Sequence, residues 1–162
     1  MRHTVIKAPN NISNLRENVL KIFLGGSIEM GKAIDWQKRL TQELIDNSNE
    51  DLDILNPRRD DWDSSWSQDP YESEKFIEQV NWEMNAQELS DLCIYYFAKD
   101  TMSPITLLEL GKYHDKALVY VDLKYQRHGN VVLFCKKYGI PYFEDYSAFV
   151  SMLHYVIVSS HV

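Results

Sequence analysis

The segment Lys21-Ile-Phe-Leu-Gly-Gly-Ser27 constrains the fold more than any other, because an apolar run stops there abruptly at two glycines. A run this short with such an end reads as a buried central strand followed by a tight turn. A second run, Leu92-Cys-Ile-Tyr-Tyr-Phe97, is apolar without alternation. That is the pattern of a strand covered on both faces, which belongs to a parallel sheet joined by helical crossovers.

The rest of the chain alternates in the way such a sheet requires. Ile34, Leu40, Leu44 and Ile45 predict a helix over 33–45, and Asp53 to Asn56 a short second strand closed by Pro57. A second helix is expected over 72–89. Ser103-Pro104 has the form of a helix start, serine as N-cap and proline at the first helical position, for a helix over 105–114. A fourth strand (117–121), a helix (131–138), a short fifth strand (140–143) and a last helix (146–158) follow. The expectation is an α/β chain with a single flavodoxin- or Rossmann-like domain. It has a five-stranded parallel sheet in the order 2-1-3-4-5, with helices on both faces. The domain takes residues 21–162, and residues 1–20 read as an N-terminal extension.

Composition narrows the class. With 162 residues, 44% hydrophobic and 25% charged, the chain suits one soluble globular domain. No apolar run approaches the roughly 20 residues of a spanning helix, and Met1 to Asn11 lacks the apolar stretch of a secretory signal. A cytoplasmic protein without a membrane partner is expected. The net charge of −7 opposes binding to a nucleic-acid polymer but leaves a small nucleotide open. The dense basic pairs Arg58-Arg59 and Lys136-Lys137 read as solvated surface pairs. Cys93 and Cys135 sit in apolar patterns as two buried free thiols. His3, His114, His128, His154 and His161 make no ligand spacing with each other or with cysteine. No metal and no cofactor is expected, and no G-x-S-x-G elbow is present.

Ligands of such sheets bind outside the carboxyl ends of the strands, here the loops 25–31, 56–70 and 98–103. Gly25, Gly26 and Ser27 offer backbone N–H groups and a hydroxyl to an anion or a sugar, without the spacing of a dinucleotide fingerprint or a P-loop. A tight turn that packs a helix on the sheet is the structural alternative. Asp61, Trp62 and Trp66 lie in an Asp- and Trp-rich stretch that is not expected to be regular. Carboxylates there accept from an exocyclic amine and the flat rings stack on a base, unless a tryptophan simply plugs the edge of the domain.

Glu109 is more informative. Ile105, Leu107, Leu108, Leu110 and Tyr113 leave its helix almost no polar face, so the helix is expected to be buried. Glu109 then lies in or at the floor of a cleft, where an unpaired carboxylate is costly and its pKa rises. Function, a buried ion partner or an edge position at the helix flank accounts for it. Glu83 shares a stripe with Phe76, Val80 and Gln87 and leans toward the core, as an acid with a role or as a flank residue.

Phe23 to Ile28 (F-L-G-G-S-I), Asn56 to Trp66 (N-P-R-R-D-D-W-D-S-S-W), Asn81-Trp82-Glu83, Ser103 to Gly111 (S-P-I-T-L-L-E-L-G) and Arg127 to Pro141 together resemble the nucleoside 2-deoxyribosyltransferase-like proteins. The resemblance spans roughly residues 20 to 145, and includes both transferases that exchange bases on deoxyribose and deoxynucleoside monophosphate N-glycosidases. It implies that Glu109, in its E-L-G segment, is the nucleophile. It further implies that Ser103 contacts the sugar or its phosphate in the glycosidase manner, and that Gly26 and Ser27 touch that end of the substrate. Glu83 corresponds to an acid that is generally aspartate in relatives. Phe23 stands where relatives place a tyrosine, and Glu29 where the glycosidases carry a basic residue, which disfavours a 5′-phosphate.

The implied chemistry is double displacement through a covalent glycosyl-enzyme. Glu109 attacks the anomeric carbon, Glu83 or Asp61 protonates the departing base, and water or a second base takes the sugar. The resemblance also implies a homo-oligomer whose sites are completed across an interface, with Asn130 in that part. Two other readings stand beside it: a hydrolase of a larger nucleotide such as NAD, and a nucleotide-binding module without turnover. In each the partner is a small-molecule nucleoside or nucleotide.

Overall fold

A computed structural model describes residues 3–29 and 33–160. The elements run β1 (His3–Lys7), β2 (Leu20–Gly26), α1 (Trp36–Asn47), β3 (Leu52–Asn56), α2 (Glu74–Leu89) and β4 (Leu92–Phe97). They continue with α3 (Pro104–Lys112), β5 (Ala117–Val121), α4 (His128–Tyr138), β6 (Tyr142–Phe143) and α5 (Tyr146–Ser159). The sheet has six strands rather than five, in the order β1-β3-β2-β4-β5-β6, and every pairing is parallel. The five strands expected from sequence are β2 to β6 in the expected order.

The added strand comes from the stretch that reads as an extension. His3–Lys7 pairs with Leu52–Asn56 as an edge strand. The segment that follows is pinned by Arg16, whose guanidinium donates to the buried Asp53 carboxylate at 2.8 and 2.6 Å. The Trp82 indole donates to the Asn10 carbonyl at 2.8 Å. The edge strand carries only a weak apolar alternation, so its place depends on these distant partners.

Side chains alternate across the sheet and build two cores. On one face Phe23, Leu55, Cys93, Tyr95, Phe97, Val119 and Val121 pack against Trp82 and Ala86 of α2, Leu110 of α3, and Val131 and Cys135 of α4. On the other face Ile22, Leu24, Ile54, Ile94, Tyr96 and Leu118 pack against α1 and α5 through Trp36, Leu40, Phe149 and Leu153. Both cysteines are buried and free. Among the described residues no helix is long and apolar enough to cross a membrane.

Three local expectations are corrected. α3 is not apolar all round in its surroundings: Ile105 is 58% and Leu108 72% exposed, while Thr106 and Leu110 face the sheet. The buried stripe of α2 is Gln79, Trp82, Ala86 and Gln87, one position off the stripe read from sequence, which leaves Glu83 partly buried at its flank. Arg59 is not a solvated residue but 6% exposed, because Asp61 and Glu78 neutralise it and Trp66 lies beside its guanidinium. Arg58 is also drawn in, toward the Gln37 side chain and the carbonyls of Ala33 and Ile34.

Candidate active site

The carboxyl ends of β2, β3 and β4 lie side by side, as the strand order requires, and their loops meet α2 and α3. Gly25 and Gly26 end β2, and each is glycine for a steric reason. A Cβ on Gly25 would lie 2.8 Å from Phe23 Cε1 and 2.9 Å from the Tyr95 ring. At Gly26, whose φ is 150°, a Cβ would lie 2.4 Å from the Tyr96 carbonyl oxygen. The tight-packing reading of this pair therefore stands on geometry. The candidate loop 25–31 continues at Met30 and Gly31, which lie outside the described residues, as does His161.

Ser27 joins the two central strand ends. Its Oγ lies 2.5 Å from Ser103 Oγ and 2.9 Å from Thr101 Oγ1, with Thr101 and Ser103 themselves 3.0 Å apart. All three residues are buried. Ser103 occupies the N-cap position of α3 as expected, but its side chain makes no capping hydrogen bond. The reason is its left-handed backbone (φ 46°), which turns the hydroxyl toward Ser27 instead of the helix. The Ser103 N–H donates to Glu29 Oε1 at 2.7 Å, and Glu29 is itself left-handed at φ 48°. Thr101 gave no signal in the sequence beyond its place two residues before Ser103.

Glu109 projects from the second turn of α3 toward α2 and β4. Its Oε2 is shielded from solvent and has no hydrogen-bond partner among the described residues. Burial, then the nearby Glu83 carboxylate, push the Glu109 carboxyl up to about 8. Burial likewise pushes Glu83 up to about 7, against the amide of Gln79, which donates to Glu83 Oε1 at 2.8 Å. The same amide donates to the Pro57 carbonyl at 2.8 Å, so Glu83 is tied to the loop after β3. Two carboxyls raised into the neutral range can each hold a proton at working pH. Gln79, which holds the Glu83 carboxyl, and Gln87 and Tyr95, which bond each other at 2.7 Å, were not legible as site residues, because a buried amide or phenol in sequence has the pattern of ordinary core.

The loop after β3 divides its candidates. Both oxygens of Asp61 lie on Arg59, at 2.9 and 3.0 Å, and this guanidinium holds the Asp61 carboxyl below its ordinary value. Trp62 and Trp66 meet edge to face with ring centres 5.2 Å apart. The Trp62 indole N–H is buried and lacks a partner among the described residues. Asn130, in the first turn of α4, is exposed, and among the described residues no hydrogen bond or ion pair joins it to the two carboxyls. The structure thus groups Glu109 with Glu83 and Ser27 with Ser103, and keeps Asn130 apart within one chain.

Fold and site define an α/β protein with a buried carboxylate pair at the carboxyl edge of a parallel sheet. The chain belongs to the nucleoside 2-deoxyribosyltransferase-like family, whose model matches residues 19–125. That family is one of deoxyribosyltransferase-like enzymes that act on small nucleosides. The crystal structure of a conserved protein from Enterococcus faecalis V583 is similar at 13% identity and a TM-score of 0.47, over 85% of this chain and 87% of that one. No curated protein matches the chain.

Proposed function

We propose that the protein cleaves or transfers at the N-glycosidic bond of a (deoxy)nucleoside or nucleotide through a covalent glycosyl-Glu109 intermediate. The observation that carries this reading is the Glu109 carboxylate, desolvated, with one oxygen unpartnered and a second acid beside it. A structural ion pair in that place would give it a basic partner, whereas its charged neighbour is another acid, Glu83. Glu109 attacks the anomeric carbon as the bond to the base breaks. The base leaves with that electron pair and takes a proton from Glu83. Water or a second base then attacks the same carbon, displaces Glu109, and returns a proton to Glu83. Double displacement retains configuration at the anomeric carbon.

Glu83 is the better proton donor of the two acids named from sequence. Its carboxyl sits near 7, whereas Asp61 is held ionised by Arg59. The pair carries one proton between its two titration steps, which belong to the pair rather than to either residue, and the reactive form is the one with that proton on Glu83 and Glu109 ionised. Ser27 and Ser103 line the side where the sugar would lie, and the unpartnered Trp62 N–H is a free donor for a base oxygen. Met102, Ile105 and Leu108 form an exposed apolar strip at the start of α3. We assign this strip to contact with a second copy, which would complete the site and give Asn130 its part.

A chromatographic assay for free base tests the reading, with nucleosides, nucleoside monophosphates and NAD as the panel and Glu109→Ala as control. Base release that disappears in the variant supports it, as does a glycosyl adduct on Glu109 after incubation with a fluorinated substrate sugar. No release and no adduct from any compound, with and without an acceptor base, would overturn it.

A further inference from the structure

Gln79 is an amide whose two ends are unequally served. It is 6% exposed and lies one turn before Glu83 on α2. Its Nε2 donates to the Pro57 carbonyl and to Glu83 Oε1, at 2.8 Å each. Its Oε1 is shielded from solvent and has no donor among the described residues. A buried acceptor left unpaired is unfavourable. The orientation therefore needs a reason at the other end of the amide.

The partners supply it. A backbone carbonyl only accepts, so the NH2 end must face Pro57; a turned amide would set its oxygen against the Pro57 carbonyl and the Glu83 carboxyl. Both Nε2 hydrogens are then spent. Pro57 follows directly on Asn56, which ends β3 and pairs with Lys7, and the proline ring fixes its φ. The amide thus ties an acid on a helix to a fixed point at the carboxyl edge of the sheet. Glu83 Oε1 is the oxygen that accepts from Gln79, so a proton on this acid sits on the other oxygen, Oε2.

We propose, resting on the reading of Glu83 as the acid that protonates the departing base, that Gln79 is a positioning residue. It holds the Glu83 carboxyl to the loop after β3 and leaves the proton on Oε2, the oxygen that serves the base. In this role Gln79 acts through Glu83 and touches neither base nor sugar. Glu109 acts on Glu83 from α3, while in the loop Arg59 is taken up by Asp61 and Glu78. The Gln79 amide is the one donor that the Glu83 side chain has among the described residues.

The test uses Gln79→Met, which keeps the length of the side chain and removes the donor. The Glu83 carboxyl is titrated by 13C NMR without substrate in a Glu109→Gln background, so that its neighbour does not ionise. Loss of a hydrogen bond to the charged form should move the Glu83 midpoint upward by roughly one pH unit. Next, kcat/KM is compared for the nucleoside that releases base fastest and for a 4-nitrophenyl 2-deoxyriboside, whose nitrophenolate leaves without a proton. Gln79→Met should lose about tenfold or more on the nucleoside and almost nothing on the nitrophenyl glycoside. An unmoved midpoint in a folded variant, or an equal loss on both substrates, would overturn the proposal. Should Gln79→Met fail to fold, Gln79→Asn, which draws the amide back by one methylene, decides by the same criteria. A wild type that releases neither base nor nitrophenolate sinks the enzyme reading itself. Release that depends on Glu109, with Gln79→Met as active as the wild type, sinks the role of Gln79 alone.

Discussion

Both carboxylate oxygens of Asp61 lie on the guanidinium of Arg59, at 2.9 and 3.0 Å. The pairing separates two acids that the sequence leaves equivalent. A carboxylate held by a guanidinium gives up its proton too readily to serve as a general acid near neutral pH. Glu83→Gln should therefore lower kcat/KM for base release by on the order of 10² to 10⁴. Asp61→Asn should lower it by less than about tenfold, through loosening of the Trp62–Trp66 loop. Comparing the two variants with one substrate decides the assignment.

Glu109→Gln should remove base release and at the same time stabilise the fold. In the unfolded chain this carboxyl titrates near its ordinary value of 4.5, and in the folded chain only near 8. Between these values the folded state holds more protons than the unfolded one. Stability contributed by the neutral carboxyl is complete below about 4.5 and declines as pH rises toward 8. The amide does not ionise, so the Tm of Glu109→Gln should exceed that of the wild type at pH 8 by a few degrees and converge with it at pH 5. Thermal unfolding followed by circular dichroism at the two pH values checks this, and equal Tm values at pH 8 would contradict the burial argument.

The glycines at the end of β2 predict a graded pair of effects. Gly25→Ala must push against two aromatic rings, which costs about 1 to 3 kcal/mol. Gly26→Ala must push against the Tyr96 backbone oxygen and adopt a φ that side chains rarely take, so it should be the more destabilising of the two. Denaturant unfolding should rank wild type above Gly25→Ala above Gly26→Ala.

Leu108→Lys tests the apolar strip on α3. Leu108 is 72% exposed and contributes little to the core of one chain, so the variant should fold with a Tm close to that of the wild type. If a second copy covers the strip, sedimentation velocity should show a shift toward monomer together with lost activity. A wild type that sediments as a monomer at micromolar concentration would remove the strip from the site.

The sequence by itself determined the layered α/β plan, because runs such as Leu92 to Phe97 are apolar on both faces and only a covered parallel sheet satisfies that pattern. It also placed Glu109 and Ser103 in their segments, since glycine pairs, a serine-proline helix start and an acid among apolar residues are local signals. What it could not show were relationships formed across the sheet. The edge strand His3–Lys7 has little apolar pattern of its own and is fixed by Asp53 and Trp82, which come from far along the chain. The Ser103 hydroxyl turns away from its helix and meets that of Ser27, 76 residues earlier. Arg59 is buried only because Asp61 and Glu78 meet on it. Gln87 and Tyr95 read as core until the packing of α2 on β4 brings the Tyr95 hydroxyl onto the Gln87 amide. Periodicity reports which face of an element is covered; which polar groups face each other there depends on packing between distant elements.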